Sequence, residues 1–247
     1  MTLMNNNIKV LAVIPARGGS KGIPRKNIKL LEGHPLIAYT ITPALNSSFI
    51  TDLIVSTEDR EIAEISEKYG TRVPFLRPFE LATDKALAIP TIQHAVLEAE
   101  KLYNKVYEYV LMLQPTCPFT TVNDIDKSIQ KLIDSNADSV ISVKDAGAYH
   151  PARMKIVSDE KLLLDYDKEE IEMLSRQNLP VVYIRSGDIY ACKRNILMEK
   201  NSFKGNISRP YIITGERTIN IDTSIDWLLA ESIMKQFGNP LKEHNFG

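Results

Sequence analysis

Hydrophobic and polar positions follow two alternating periods along this chain, one typical of strands and one typical of helices. Short unbroken apolar runs, of which residues 11–14 are the first, are typical of strands buried on both faces, as in a parallel sheet. Elsewhere apolar residues recur three or four positions apart, as at Ile62, Ile65 and Tyr69, and this spacing predicts amphipathic helices. Further strands are predicted at residues 53–56, 73–76, 109–113, 139–143, 181–184, 189–192 and 211–214.

Five helices are predicted between and after these strands. The first opens at Pro35, because proline suits the first position of a helix, and Pro43 should kink it or end it early. The second ends at Gly70, the third opens at Pro90, and the fifth spans residues 224–237. The buried stripes predicted for the last three are Ile92, Val96 and Ala99; Ile125, Ile129, Leu132 and Ile133; and Ile225, Leu228, Leu229 and Ile233.

The alternation of strands and helices predicts an α/β fold with a doubly wound, mostly parallel sheet. In such a sheet the binding site lies at the carboxyl ends of the strands, near the point where the strand order reverses. We therefore expect the turns after the first strand and after residues 109–113 to face one crevice. Residues 1–247 are expected to form a single domain, and the charge-rich residues 145–180, which lack a clear strand–helix unit, are predicted to be an insertion within it.

The composition limits the partners that this chain can have. A net charge of −1 gives no bulk attraction to nucleic acid or to an anionic membrane, and no apolar run is long enough to cross a bilayer. Cys117 and Cys192 lie far apart and form no metal-binding spacing, so a structural zinc site is not expected. The polar start of the chain shows no signal peptide, and we expect a cytoplasmic protein with reduced thiols and small-molecule partners.

The first predicted strand runs into a turn dense in glycine and positive charge, within VLAVIPARGGSKGIPRKN at residues 10–27. In this glycine-rich turn (residues 16–26), Gly18, Gly19 and Gly22 let a ligand approach the main chain, and consecutive amide groups form a concavity that binds anions. Arg17 and Lys21 add charges that suit phosphate, so we predict a polyphosphate ligand. The predicted nucleotide contacts of the turn are Ala16, Arg17, Gly18, Gly19, Ser20 and Lys21.

The glycine-rich turn has neither of the two common nucleotide-loop spacings. It contains no GxxxxGK[ST] and no GxGxxG, which disfavours ATPases with the first loop and ordinary nicotinamide dehydrogenases. The alternative interpretation is a tight turn with a solvated basic rim, and this description suits Arg25 and Lys26 better than Arg17 and Lys21.

Two other polar side chains are predicted near the same edge of the sheet. Asp222, in INIDTSID, lies where a strand ends and the last helix begins, and it is either a Mg²⁺ ligand or the N-cap of that helix. Gln114 follows the strand at residues 109–113, where its amide either holds hydroxyl groups of an acceptor or bonds the strand-end backbone. Cys117 has no base beside it, so we do not propose a nucleophile.

The segment IPARGGSKGIPRKN resembles the N-terminal signature of the acylneuraminate cytidylyltransferases, the CMP-sialic acid synthetases, including members that act on legionaminate. LRPFELATD, LQPTCPF, RQNLP and INIDT follow in that family's order and extend the resemblance over most of the chain. The resemblance implies a nucleotidyltransferase that joins a nine-carbon 2-keto acid sugar to CMP from CTP, with Mg²⁺ or Mn²⁺ as cofactor and pyrophosphate as second product. It also implies a homodimer in which residues 145–180 form a dimerisation arm.

By the same resemblance Asp222 is the metal aspartate, and Arg17 and Lys21 act on the triphosphate, so these three form the predicted catalytic set. Many members carry aspartate where this chain has Asn220, whose neutral carbonyl oxygen still suits a metal. We therefore expect Asp222 to hold one Mg²⁺ together with triphosphate oxygens and water. The remaining predicted contacts are Asn27 and Arg77 for the nucleotide, and Gln114, Arg153, Arg176, Gln177 and Tyr183 for the acceptor.

Alternatives remain open at three levels. Arg77 would otherwise be a surface ion-pair partner, and Asn27 a turn or helix cap. Within the enzyme class the acceptor is instead legionaminate or pseudaminate, although SKGIP fits the sialate and legionaminate types better than the pseudaminate type. In another class altogether, the chain is a non-catalytic nucleotide-binding module, a role that Asn220 in place of aspartate makes conceivable.

Overall fold

The computed structural model describes residues 8–166 and 178–241, and six strands in that part of the chain form one central sheet. The strands are Val10–Pro15 (β1), Leu30–Leu31 (β2), His34–Pro35 (β3), Asp52–Ser56 (β4), Tyr109–Leu113 (β5), Ser139–Asp145 (β6), Lys155–Val157 (β7), Leu163–Asp165 (β8), Tyr183–Lys193 (β9) and Ser208–Ile212 (β10). The helices are Ala38–Leu45 (α1), Arg60–Lys68 (α2), Ala88–Tyr103 (α3), Val122–Asp134 (α4), Arg194–Glu199 (α5) and Ser224–Phe237 (α6).

The central sheet has the strand order β10-β6-β9-β5-β1-β4. β1 runs parallel to both of its neighbours, β4 and β5, and β10 runs parallel to β6. β9 is antiparallel to β5 and to β6. The predicted α/β fold with a mostly parallel sheet is therefore confirmed, and the carboxyl ends of β1 and β5 lie side by side.

β1 is buried on both faces because its side chains alternate between two cores. Leu11 and Val13 pack on the face that α3 covers, whereas Ala12 and Ile14 pack on the face that α4 covers. A third apolar cluster includes residues of α1 and α6. The glycine-rich turn thus leaves a strand that is held from both sides.

Backbone pairing changes two of the predicted elements. Pro35 does not open the first helix, because it pairs with Leu30 in the antiparallel ribbon of β2 and β3, and α1 begins at Ala38. This helix continues through Pro43 and ends two residues later. Residues 73–76 are not a strand. Only isolated bridges, at Arg72 and Leu76, join this described segment to the β4 region.

The two strands predicted at residues 181–184 and 189–192 are one long strand, β9. It passes through Gly187, whose φ of 100° is open to glycine, and its register against β6 shifts in the same region. β10 lies three residues nearer the N-terminus than the strand predicted from residue 211. α2, α3, α4 and α6 occupy the predicted segments, with α3 starting two residues before Pro90.

The core face predicted for α6 is wrong. Ile225 and Leu228 are 74% and 65% exposed, and the buried side chains of this helix are those of Trp227, Ala230 and Met234. The helix carries apolar residues on two faces, so spacing alone did not identify the buried one. Among the described helices, none is both long and apolar enough to cross a membrane.

The predicted insertion begins at the end of β6. Two short 3-10 turns, Gly147–Tyr149 and Pro151–Arg153, lead into an antiparallel hairpin formed by β7 and β8. Every residue of the two hairpin strands is exposed, including Val157 and Leu163. Residues 167–177 of the insertion lie outside the described part of the chain.

Candidate active site

A cavity of about 410 Å³ opens where β1 and β5 end, at the edge of the sheet predicted from the sequence. Its walls come from the glycine-rich turn, the loop that precedes α3, and the segment that leads into α6. The structure therefore brings together residues from both ends of the chain. The predicted site residues that line the cavity are Arg17, Ser20, Lys21, Asn27, Arg77, Gln114 and Asp222.

The glycine-rich turn is held in shape by contacts with three other segments. The buried Asn27 side chain donates a hydrogen bond of 2.9 Å to the carbonyl oxygen of Arg17. The amide of Gly18 donates to Glu58 Oε1 at 2.7 Å, so this amide is directed at a carboxylate and not into the cavity. At Gly22 an added Cβ would overlap the carbonyl oxygen of Asp222. Ala16, Gly18 and Gly19, which were predicted to bind the nucleotide, do not line the cavity.

The two cations predicted for the triphosphate both contact one carboxylate, Asp84. Arg17 Nη1 lies 3.1 Å from Asp84 Oδ1, and Lys21 Nζ lies 2.8 Å from Asp84 Oδ2. The hydrogen bond from Lys21, with the charges of Lys21 and Arg17, lowers the pKa of Asp84 below its ordinary value. Asp84 was missed in the sequence because no local pattern connects it to the glycine-rich turn.

Lys26 is a site residue, and its assignment to a solvated rim is wrong. Its side chain is 12% exposed, and Nζ donates to Asp222 Oδ1 at 3.0 Å and to the carbonyl oxygen of Ile221 at 2.7 Å. The neighbouring Arg25 does fit the rim, because it forms ion pairs with Asp59 and Glu61 and does not line the cavity. Two adjacent cations thus have different partners, because their side chains leave the turn in different directions.

The alternative of Asp222 as a helix cap is excluded by the start of α6. Thr223 is the N-cap: its hydroxyl accepts from the amide of Asp226, and the Asp226 carboxylate accepts from the amide of Thr223 at 2.7 Å. The side chain of Asp222 is 71% exposed and lies at the cavity wall. Its carboxylate is therefore available to a ligand in addition to Lys26.

Asn220 lies deeper than Asp222 and packs over the backbone of Gly187. A Cβ added to Gly187 would come within 2.5 Å of Asn220 Nδ2 and 3.3 Å of Gln114 Oε1, so the two amides adjoin at this point. Asn220 Oδ1 is buried and has no hydrogen-bond partner among the described residues. This oxygen is a buried acceptor, and Asn220 itself does not line the cavity.

Arg77 is held at its backbone and at its guanidinium group. Its amide donates to the carbonyl oxygen of Thr57 at 2.8 Å, and Nη2 donates to Glu58 Oε2 at 2.7 Å. Only 4% of the side chain is exposed, so Arg77 is not a surface ion-pair partner. It contributes to the cavity wall from a fixed position.

The remaining acceptor candidates lie away from this cavity or outside the described residues. Arg153 is exposed in the 3-10 turn Pro151–Arg153, and Tyr183 lines a separate cavity of about 330 Å³ near β10. Arg176 and Gln177 fall within residues 167–177, which the structure does not describe. Of the predicted acceptor contacts, the structure therefore places Gln114 at the cavity.

Comparison with known proteins identifies the family of this chain. A family model described as Cytidylyltransferase matches residues 11–204, which is more than half of the chain. The chain belongs to the cytidylyltransferase family. Over 229 residues it is 34% identical to a CMP-N,N'-diacetyllegionaminic acid synthase from Legionella pneumophila, a match that covers 92% of this chain and 97% of that protein.

Two more relatives of this cytidylyltransferase differ in the sugar that their names state. A pseudaminic acid cytidylyltransferase from Campylobacter jejuni is 31% identical, covering 92% of this chain and 97% of its own. An N-acylneuraminate cytidylyltransferase from Escherichia coli is 33% identical over 92% of this chain and 52% of its own. A solved CMP:2-keto-3-deoxy-manno-octonic acid synthetase complexed with CTP has a TM-score of 0.68 at 17% identity, covering 93% of this chain and 99% of that one, which shows the same fold.

Neither cysteine of this cytidylyltransferase offers a nucleophile. Cys117 is fully buried, and burial raises the pKa of its thiol well above the ordinary value. Burial likewise raises the pKa of Cys192 to about 12. Within residues 8–166 and 178–241, no three His, Cys, Asp or Glu side chains cluster as a metal centre.

Proposed function

We propose that this cytidylyltransferase activates a nine-carbon 2-keto acid sugar of the N-acylneuraminate type. The anomeric hydroxyl oxygen attacks the α-phosphorus of CTP and the bond from that phosphorus to the β-phosphate oxygen breaks. The products are a CMP-sugar, pyrophosphate and the proton released from the hydroxyl group. The observation that carries the proposal is the contact between the glycine-rich turn and Asp222, at Gly22 and through Lys26. Cations that suit phosphate and a carboxylate that suits a metal ion therefore line the same cavity.

The roles of the cavity residues follow from charge and position. Arg17 and Lys21 stabilise the negative charge that develops on the leaving pyrophosphate, since they lie together at one wall of the cavity. Arg77 contacts the base or ribose, and Asn27 fixes the turn through its hydrogen bond to the carbonyl oxygen of Arg17.

The two cysteines have no part in the proposed reaction. No covalent intermediate is needed, which agrees with two buried thiols. Because both thiols are also free, we expect a cytoplasmic enzyme.

We infer that Asp222 binds one Mg²⁺, or Mn²⁺, with Asn220 as a neutral second ligand. Mg²⁺ is commonly held by one or two carboxylates plus phosphate oxygens and water, and the exposed carboxylate of Asp222 fits that arrangement. The buried oxygen of Asn220, which lacks a partner in the described part of the chain, fits a ligand as well. The ion, when bound, would neutralise charge on the triphosphate.

The relatives support three acceptors, which are N-acylneuraminate, N,N'-diacetyllegionaminate and pseudaminate. Pyrophosphate release should be measured with CTP and Mg²⁺ in the presence of each acceptor and in the absence of any. We expect release to depend on an acceptor and to be fastest with one of the first two. Binding of CTP without release in any mixture would contradict the proposal and indicate a non-catalytic nucleotide-binding module.

We further propose a homodimer in which residues 145–180 form the dimerisation arm. The hairpin of this segment exposes Ile156, Val157, Leu163 and Leu164 by 47–70%, and clustered exposed apolar side chains mark interaction surfaces. Arg153, Arg176, Gln177 and Tyr183 would then contact the acceptor at the partner's cavity. Leu163→Asp should convert a dimer into a monomer in sedimentation velocity, and a monomeric wild type would contradict this arrangement.

A further inference from the structure

Glu58 contacts two parts of the active site without lining the cavity itself. It follows β4 and precedes α2, and its two carboxylate oxygens have different partners. Oε1 accepts from the amide of Gly18 at 2.7 Å, and Oε2 accepts from Nη2 of Arg77 at 2.7 Å. One carboxylate therefore joins the backbone of the glycine-rich turn to the guanidinium group of Arg77.

The burial of these groups distinguishes this pair from the other ion pairs of the site. The side chains of Glu58 and Arg77 are 15% and 4% exposed, whereas those of Arg17 and Asp84 are 37% and 44% exposed. A buried ion pair is strongly destabilised when one partner is removed, because the other charge stays poorly hydrated. Glu58 and Arg77 therefore form a fixed contact, and the pairs at Asp84 can exchange with solvent or ligand.

We propose that Glu58 is a positioning residue that sets the spacing between the glycine-rich turn and Arg77. The triphosphate contacts and the base contact are then aligned by one side chain, so that the site binds CTP as a unit. Glu58 also compensates the charge of Arg77, whose buried Nε has no partner within the described residues and remains a donor. The proposal rests on the proposed function, in which Arg77 faces the base or ribose of CTP.

Two substitutions test whether Glu58 positions the site or only compensates the charge of Arg77. Glu58→Gln keeps the shape but places an amide against Arg77, and Glu58→Asp keeps the charge but is one methylene too short to reach both partners. If Glu58 sets the spacing, both variants should raise the KM for CTP roughly tenfold with a smaller change in kcat, and both should lose selectivity against UTP. Glu64→Gln, on the exposed face of α2, is the matched control and should leave both quantities unchanged.

The aspartate variant decides the outcome even if the glutamine variant does not fold. If the role of Glu58 is only structural, the Glu58→Asp protein should have the melting temperature and the KM for CTP of the wild type, because the buried charge of Arg77 stays compensated. If Glu58 positions the site, the Glu58→Asp protein should have the melting temperature of the wild type but a raised KM for CTP. A folded Glu58→Asp protein with wild-type KM and wild-type selectivity would overturn the inference.

Calorimetric binding of CTP and UTP separates this inference from the proposed function. A wild type that binds CTP no more tightly than UTP would show that the assigned nucleotide is wrong. A wild type that prefers CTP, together with a Glu58→Asp variant that keeps the same preference, would overturn the role of Glu58 alone. Loss of the preference in the variant supports the proposal.

Discussion

Replacing Gly22 with alanine tests whether the glycine-rich turn and Asp222 form one site. The added Cβ would overlap the carbonyl oxygen of Asp222, a main-chain atom that no side-chain rotation can move away. Relieving the overlap separates the two segments by roughly 1 Å, and a displacement of that size costs on the order of 100-fold in rate. This factor corresponds to about 2.7 kcal/mol of lost transition-state stabilisation.

Gly19→Ala is the matched control for this experiment, because a Cβ at that position in the same turn meets nothing within 4 Å. Pyrophosphate release at varied CTP gives kcat/KM for both variants, and thermal melting shows whether each is folded. We expect Gly22→Ala to fall on the order of 100-fold and Gly19→Ala to stay within about threefold of wild type. Equal losses, or none at Gly22, would refute the idea that this backbone contact aligns the site.

Three further substitutions examine carboxylates around the same turn. Asp222→Asn should lower Mg²⁺-dependent turnover by at least roughly 100-fold in a protein that still folds, because the cap of α6 is a different residue. Asp84→Asn should make pyrophosphate a several-fold stronger product inhibitor, because the two cations that it pairs with lose their internal competitor. Asp59→Asn keeps a good helix cap but removes the charge next to Arg25, whose hydrogen bond lowers the pKa of Asp59. The stability from this lowered pKa is fully present above the ordinary carboxyl value of 3.8 and is lost as pH falls through the lowered pKa of the folded protein. The melting temperatures of Asp59→Asn and wild type should therefore differ at neutral pH and converge once the pH is below that lowered pKa.

The local sequence pattern was sufficient to predict those elements whose structure depends on a single strand, helix or turn. β1 is an apolar run with glycine and charge directly after it, and both the buried strand and its turn are present in the structure. β5 and α6 begin and end at the predicted residues. These elements depend on neighbours within a few positions, which is the distance over which periodicity and turn chemistry act.

The remaining features depend on residues that are distant in sequence. Lys26 and Asp222 are separated by 196 positions, and the direction in which the Lys26 side chain leaves the turn is set by tertiary packing. The buried face of α6 is set by the cluster that it joins, since Ile225 and Trp227 are both apolar but lie on opposite sides. No single-sequence pattern contains either fact.

Three of the carboxylates that contact the glycine-rich turn differ in exposure, and this difference suggests an order of ligand entry. Glu58 holds one end and is 15% exposed, Asp84 contacts the middle and is 44% exposed, and Asp222 is 71% exposed but is anchored by the buried ammonium of Lys26. Exposed pairs are weak and are screened by salt, whereas buried pairs resist rupture. We therefore expect a triphosphate to displace Asp84 first, while Glu58 and Lys26 keep the turn in its present shape. This division explains how a turn crowded with cations stays ordered and still accepts a polyanion.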